Sequence, residues 1–111
     1  MSTQITRVTM IKVAPEHLDI ALEGFKTFAQ NQQKNGKPYI LSMEAGPING
    51  GQVKDRGFTF LMKSVFKSQE DMEFYMTKCE GHEAYKVYLK ENAPVTALQA
   101  VTFTPGASFE I

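Results

Sequence analysis

Hydrophobic and polar side chains alternate over residues 5–13, a segment rich in β-branched residues. A period of two is typical of a β-strand, and Pro15 marks its end. Because successive side chains of a strand point to opposite faces, Arg7 and Thr9 share one face while Val8 lies on the other. The pattern therefore predicts a first strand with two different faces.

From about Pro15 to Gln33 the hydrophobic period becomes that of an α-helix. Pro15 suits a first helical turn and Gly36 suits a stop. Charged and amide side chains occupy the opposite side of this segment. The spacing predicts one amphipathic helix whose buried stripe comprises Leu18, Ala21, Leu22, Phe25, Phe28 and Ala29.

Two more strands are predicted over residues 39–45 and 57–66. Between them, the run from Gly46 to Gly51 has the glycine, proline and asparagine content of a connecting loop. Both faces of the segment Gly57–Phe66 are mostly apolar, which is typical of a central strand that is covered on both sides.

The last part of the chain predicts a helical region and a final strand. Ser68 to Asp71 has the spacing of a capping box, Gly81 interrupts the helical pattern, and Pro94 ends it. Residues 95–104 return to a β pattern. The order βαββαβ predicts an α+β, ferredoxin-like fold: a four-stranded antiparallel sheet with helices on one face. The chain is predicted to form one domain over residues 1–111, with a core at about 5–104.

This arrangement leaves one face of the sheet bare, although part of that face is apolar. Exposed apolar surfaces of several hundred Å² are rare in monomers. The sequence therefore predicts a homodimer that pairs through the sheet faces.

Composition narrows the classes of partner. Twelve basic and twelve acidic residues cancel, and the basic residues form no run, which disfavours nucleic acid and an anionic membrane surface. There is one cysteine, and the N-terminal residues lack the pattern of a signal peptide. We therefore expect a cytoplasmic protein.

His82 is the main candidate for proton transfer, since an imidazole titrates near neutral pH. On a continuous helix it would share a face with Tyr75. We expect the hydroxyl of Tyr75 or Tyr85 to stabilise a developing oxyanion. The alternative is a histidine that holds its turn through a backbone hydrogen bond. Arg7 is predicted to anchor an anionic group through its guanidinium if its face of the strand looks toward the helices, and otherwise to lie in solvent.

Other residues fit a binding role or a plain structural one. Cys79 and His82 form a Cys-x-x-His pair, but the other histidine, His17, lies on the first predicted helix, so a complete set of zinc ligands is hard to assemble. We predict no metal and no cofactor. Three apolar side chains fit either the core or the wall of a ligand cleft: Phe25, Phe60 and Met62.

The whole segment from about Ile5 to Thr104 resembles the stress-responsive A/B barrel family of dimeric α+β barrels. The resemblance is carried by the opening strand from Val8 to Val13, by the strand Phe58–Phe66 with its following helix, and by the turn Glu80-Gly81-His82-Glu83-Ala84-Tyr85. It implies a dimer of two sheets with a cleft between each sheet and its helices.

Some members of that family resemble polyketide cyclases, in which a histidine of a His-Pro-x-His turn acts as general base beside a tyrosine. His82 and Tyr75 match that pair, while Lys78-Cys79-Glu80 replaces the start of the turn and Arg7 replaces a first-strand histidine. Three hypotheses follow: a dimer that binds a small apolar molecule, a cofactor-independent cyclase or lyase with His82 as base, and a structural assembly protein with a filled cleft.

Overall fold

The computed structural model describes residues 4–50 and 55–111, so the N-terminal residues 1–3 and residue Gly51 of the predicted loop lie outside the described part. The strands are β1 (Ile5–Lys12), β2 (Ile40–Pro47), β3 (Phe60–Phe66) and β4 (Ala97–Phe103). The helices are α1 (Leu18–Asn31), α2 (Gln69–Thr77) and α3 (Glu80–Asn92), and a 3₁₀ turn over Pro15–His17 precedes α1.

The four strands form one antiparallel sheet in the order β2-β3-β1-β4. The central strand β1 pairs with β3 on one side and with β4 on the other, so that Arg7 lies between Ser64 and Thr102. The helices follow β1 and β3 in the chain, as the split βαβ arrangement requires. The predicted ferredoxin-like α+β fold is confirmed.

Strand β2 runs further than the sequence predicted. Gly46 and Pro47 pair with Leu61 and Phe60 of β3, so the loop begins after Pro47. A proline is tolerated there because β2 is an edge strand, where the missing N–H is not needed by a second neighbour. The predicted start of the loop at Gly46 is therefore wrong by two residues.

The break between α2 and α3 also differs from the prediction. Ser68 caps α2 as expected, accepting a hydrogen bond from the Asp71 amide at 3.1 Å. The helix then ends before Lys78, and Cys79 has an extended backbone, whereas Gly81 lies inside the first turn of α3. The prediction that Gly81 interrupts the helix is wrong. A β-carbon at Gly81 would lie 3.2 Å from the Phe28 ring, so this glycine permits a close approach of α3 to α1.

The hydrophobic core lies between the sheet and the helical layer. Ile11, Phe60 and Phe66 contribute fully buried side chains from the sheet. Phe28 of α1 is central to the helical side, because its ring contacts four other rings with centroid distances of 5.8–6.2 Å. Those rings belong to Phe25, Tyr75, His82 and Tyr85.

The helical layer leaves the helix-side face of β4 partly uncovered. Leu98 pairs with Ile11 and therefore points to the same side of the sheet. Ile11 is 1% exposed, whereas Leu98 is 61% exposed. The sheet thus extends beyond its helices at the β4 edge, and a cleft opens there.

The opposite face of the sheet carries apolar side chains from three strands. By strand register, Val8 and Met10 share this face with Leu61 and Val65 of β3 and with Val101 and Phe103 of β4. Val101 and Phe103 are about half exposed. We call these six residues the outer sheet patch.

Helices α1 and α3 approach closely at Gly24. A β-carbon there would lie 2.4 Å from the Tyr88 ring and 2.9 Å from the buried Tyr85 ring. We therefore expect Gly24→Ala to lower the free energy of unfolding by about 1 kcal/mol, since displacing the rings outweighs the better helix propensity of alanine. Urea unfolding measures the change. Gly106→Ala is the control, because nothing lies within 4 Å of a β-carbon there. An unchanged or raised stability in Gly24→Ala would contradict the close packing.

Candidate functional site

An open cleft of about 380 Å³ lies between the sheet and helices α2 and α3. Its floor comes from the helix-facing side of β1 and β3, and its roof from the two helices. The segment before β4 and Leu98 border it further along. The floor residues are Arg7, Thr9, Ile11 and Met62, and the roof includes Tyr75, Met76, His82, Tyr85, Lys86, Leu89 and Lys90.

The turn between α2 and α3 places His82 in this cleft. The amides of Lys78 and Cys79 both donate to the Phe74 carbonyl, which ends α2 and reverses the chain. As a result His82 stacks on the Tyr75 ring with a centroid distance of 3.9 Å and an angle of 18° between the planes. The expected proximity of the two side chains is present, although the intervening helix is broken.

His82 is held by a backbone hydrogen bond. Its Nδ1 lies 2.9 Å from the Tyr75 carbonyl oxygen, and because a carbonyl only accepts, Nδ1 carries the hydrogen in the neutral ring. The lone pair then resides on Nε2. Burial lowers the pKa of His82 from 6.5 to about 4, the hydrogen bond to Tyr75 opposes this, and Lys86 and Arg7 add to it. The ring is therefore neutral across the physiological pH range.

Tyr75 is buried beneath the His82 ring. Burial raises the pKa of the Tyr75 hydroxyl to about 12, while the neighbouring Arg7 guanidinium opposes the rise through its charge and a hydrogen bond. The hydroxyl is accordingly protonated and able to donate a hydrogen bond.

Arg7 faces the helices, as one of its two predicted placements requires. Its guanidinium donates to the Thr9 hydroxyl and lies 5.5 Å from the Tyr75 ring centroid. The side chain is partly buried and contributes to the cleft floor. It thus places a positive charge beside the Tyr75 and His82 pair.

The hydroxyl of Tyr85 is engaged elsewhere. It donates to the Ala21 carbonyl at 2.8 Å, which ties α3 to α1. Burial raises the pKa of Tyr85 as well. The ring borders the cleft, but the hydroxyl serves the helix packing, so Tyr75 is the better placed of the two tyrosines for the oxyanion role.

Of the three apolar candidates, the structure brings only Met62 to the cleft. Phe25 is 5% exposed and Phe60 is fully buried, and both belong to the hydrophobic core without bordering the cleft. The interpretation of Phe25 and Phe60 as ligand-binding residues is therefore replaced by a packing role. Periodicity alone does not separate these positions, because core and cleft walls use the same residue types.

The sequence did not point to the two charged cleft residues on α3. Lys86 and Lys90 follow His82 at intervals of four, and all three side chains border the cleft from α3. Helical spacing from His82 was a signal that would have found both lysines.

Cys79 is buried at the start of α3, within the hydrophobic core. Over the described ranges 4–50 and 55–111, no three side chains of His, Cys, Asp or Glu lie close enough together to hold a metal ion.

No helix in the same ranges is long and apolar enough to cross a bilayer.

Comparison with known proteins identifies related sequences. Residues 5–100 match the model of the stress responsive A/B barrel domain family. A fusaristatin A biosynthesis cluster protein of Gibberella zeae is 38% identical over 109 residues, covering 97% of this chain and 78% of the relative.

Solved structures share the fold at low identity. The hydroxynitrile lyase of Passiflora edulis superposes with a TM-score of 0.72 at 13% identity, over 99% of this chain and all of that one. A dimeric ferredoxin-like protein of unknown function from Bacteroides fragilis gives a TM-score of 0.67 at 19% identity, over 92% of this chain and 96% of that one. Both likenesses concern the fold.

The lowered pKa of His82 has a consequence for stability. Below about pH 6.5 the unfolded chain protonates this histidine while the folded chain does not, so folding stability falls as the pH drops toward 4. His82→Asn keeps a donor for the Tyr75 carbonyl but removes the titration. We expect the wild type to lose about 2 kcal/mol more than His82→Asn between about pH 7 and pH 4.5, as measured by urea unfolding. Equal losses would show that the ring titrates at its ordinary value.

Proposed function

Because the chain belongs to the stress responsive A/B barrel domain family, we propose that it is a small homodimeric protein that binds a mainly apolar molecule in the sheet–helix cleft and moves a proton on that molecule. His82 acts as the general base, and Arg7 and Tyr75 stabilise the negative charge that develops on the bound molecule. The observation that carries this proposal is the hydrogen bond from His82 Nδ1 to the Tyr75 carbonyl, which leaves Nε2 as the basic nitrogen of a cleft residue.

The fixed tautomer suits a base. A general base needs its lone pair before the reaction begins, and a pKa of about 4 leaves His82 unprotonated at neutral pH. The same burial makes the imidazole a weaker base, so the proposal depends on stabilisation of the enolate by its neighbours. When Nε2 takes a proton from a carbon beside a carbonyl group, the electron pair moves onto the carbonyl oxygen. Arg7 and the Tyr75 hydroxyl are the neighbouring groups that stabilise the enolate in a partly desolvated site.

The open cleft favours ligand binding over a purely structural role. A volume of about 380 Å³ lies within the range of small-molecule sites, and Ile11, Met62 and Leu89 make its wall largely apolar. The structural hypothesis requires this space to be filled by side chains, which it is not.

The relatives suggest a setting for this activity. The Gibberella zeae relative is named for a biosynthesis cluster, and the Passiflora edulis protein shows that this fold can carry a lyase. We infer that the ligand is an intermediate of small-molecule biosynthesis, handled by a lyase- or cyclase-type step that uses the side chains of the chain itself. The single cysteine fits a cytoplasmic location.

A binding protein without catalysis is the second candidate. The same backbone hydrogen bond favours it, because holding the α2–α3 turn in place is by itself a sufficient structural role for His82. A variant that keeps the hydrogen bond to the Tyr75 carbonyl but lacks the basic nitrogen separates the two candidates. A catalytic protein would lose proton transfer, whereas a binding protein would be unaffected.

The homodimer is supported by the outer sheet patch. Its six apolar residues come from three neighbouring strands, and pairing two such faces would remove them from water. The Bacteroides fragilis structure, of the same fold, is dimeric.

Proton abstraction is tested with a simple ketone in heavy water. We expect the protein to accelerate deuterium exchange at the α-carbon of phenylacetone, followed by proton NMR, and His82→Asn to slow the catalysed exchange by about a hundredfold or more. The asparagine amide retains the bond to Tyr75, so the loss would arise from the missing base.

His17→Gln is the matched control, because the chain's other histidine lies on the 3₁₀ turn before α1 and does not border the cleft. Melting temperatures of all variants are compared. Unchanged exchange in His82→Asn, together with a large loss of melting temperature in His82→Ala, would support the binding protein with a structural histidine instead.

The dimer is tested by adding a charge to the outer sheet patch. Leu61→Asp or Val65→Asp should give a soluble monomer or an insoluble chain, because an aspartate cannot be buried unpaired between two sheets. Gln30→Glu adds a charge on the exposed side of α1 and should leave the mass unchanged. Mass is measured by size exclusion with light scattering. Elution of the Leu61 and Val65 variants as dimers would place the interface elsewhere.

A further inference from the structure

The charged side chains bordering the cleft are all cationic. They are Arg7 on the floor and Lys86 and Lys90 on α3, with no aspartate or glutamate among the described residues of the lining. Since the whole chain has a net charge of zero, this concentration of positive charge is local. A cleft lined by one sign of charge attracts a ligand of the opposite sign.

The two lysines extend away from the proposed base. His82, Lys86 and Lys90 are four residues apart along α3, so Lys90 lies about 12 Å along the helix axis from His82. Leu89, Val95 and Leu98 supply apolar lining to the same cleft. The cleft therefore combines a base and an arginine at one end, apolar side chains, and two lysines, of which Lys86 lies one helical turn and Lys90 two turns from His82.

Both lysines are available to a ligand. Lys86 pairs with Glu83 at 2.9 Å, but both side chains are more than half exposed, and an ion pair of this kind is weak and easily exchanged. Lys90 lies in the last turn of α3 and makes no ion pair within the described part of the chain.

We propose that the molecule bound in the cleft is an elongated organic acid, with its carboxylate at Lys86 and Lys90 and its apolar body along Leu89 and Leu98 toward His82. This inference rests on the proposed function and names its substrate class. A span of up to about 12 Å suits an extended chain of about eight to ten carbons, given bonds of about 1.5 Å. The lysines thereby set the orientation in which the far end of the acid reaches the base.

The experiment compares two probes that differ only in charge, octanoate and 1-octanol, by isothermal titration calorimetry at low salt. We expect the wild type to bind octanoate about fivefold or more tightly than octanol, and added salt to reduce the difference. The double variant Lys86→Gln/Lys90→Gln should lose most of the preference and keep only what Arg7 contributes, whereas Lys86→Arg/Lys90→Arg should retain it.

Lys26→Gln is the control, because this lysine is exposed on α1 and does not border the cleft. His82→Asn should keep the preference for octanoate, which separates anion binding from proton transfer. Equal binding of both probes to the wild type would overturn this inference alone and leave the proposed function standing. A preference that survives undiminished in the double glutamine variant would overturn the role of the lysines. Failure of both probes to bind would overturn the inference and the proposed apolar ligand together.

Discussion

The contact between the Tyr75 and His82 rings, 3.9 Å between centroids, organises the helical side of the molecule. It exists because the chain reverses at Lys78 and Cys79, which brings the start of α3 back against the end of α2. Phe28 of α1 packs against both rings and joins the three helices into one layer. This packing helps to bury the imidazole, which lowers its pKa, while the hydrogen bond from Nδ1 to the Tyr75 carbonyl fixes its tautomer. One packing feature thus sets both the helix arrangement and the chemical state of the candidate base.

The cleft is a consequence of how far this helical layer reaches over the sheet. Two glycines bring α3 close to α1: Gly24 leaves room for Tyr88, and Gly81 leaves room for Phe28. Leu98 on β4 lies beyond the helices and is largely exposed on the helix side. Tight packing between the helices thus lies beside an open space next to β4. Phe25 and Phe60 belong to the packed part, and Met62 to the open part.

The two faces of the sheet present different sets of side chains. Its helix side carries Arg7 and Thr9 toward the cleft, and its other side carries the outer sheet patch. Because neighbouring residues of β1 alternate between these surfaces, the proposed dimer and the proposed ligand site would use different side chains of the same strand. A substitution in the outer sheet patch therefore tests the proposed dimer without changing a residue of the cleft.

The sequence by itself determined the elements, their order and the fold, because residue periodicity and local signals such as Ser68 report on neighbours that are close along the chain. It also brought Arg7, Tyr75 and His82 forward as candidates. The tertiary structure decided what the local pattern does not encode. The helix breaks at Cys79 rather than at Gly81, and the Tyr85 hydroxyl donates its hydrogen bond to the Ala21 carbonyl. Lys86 and Lys90 lie with His82 in one cleft. Each of these depends on which helix lies opposite which strand, a relation set by packing between segments far apart in the chain.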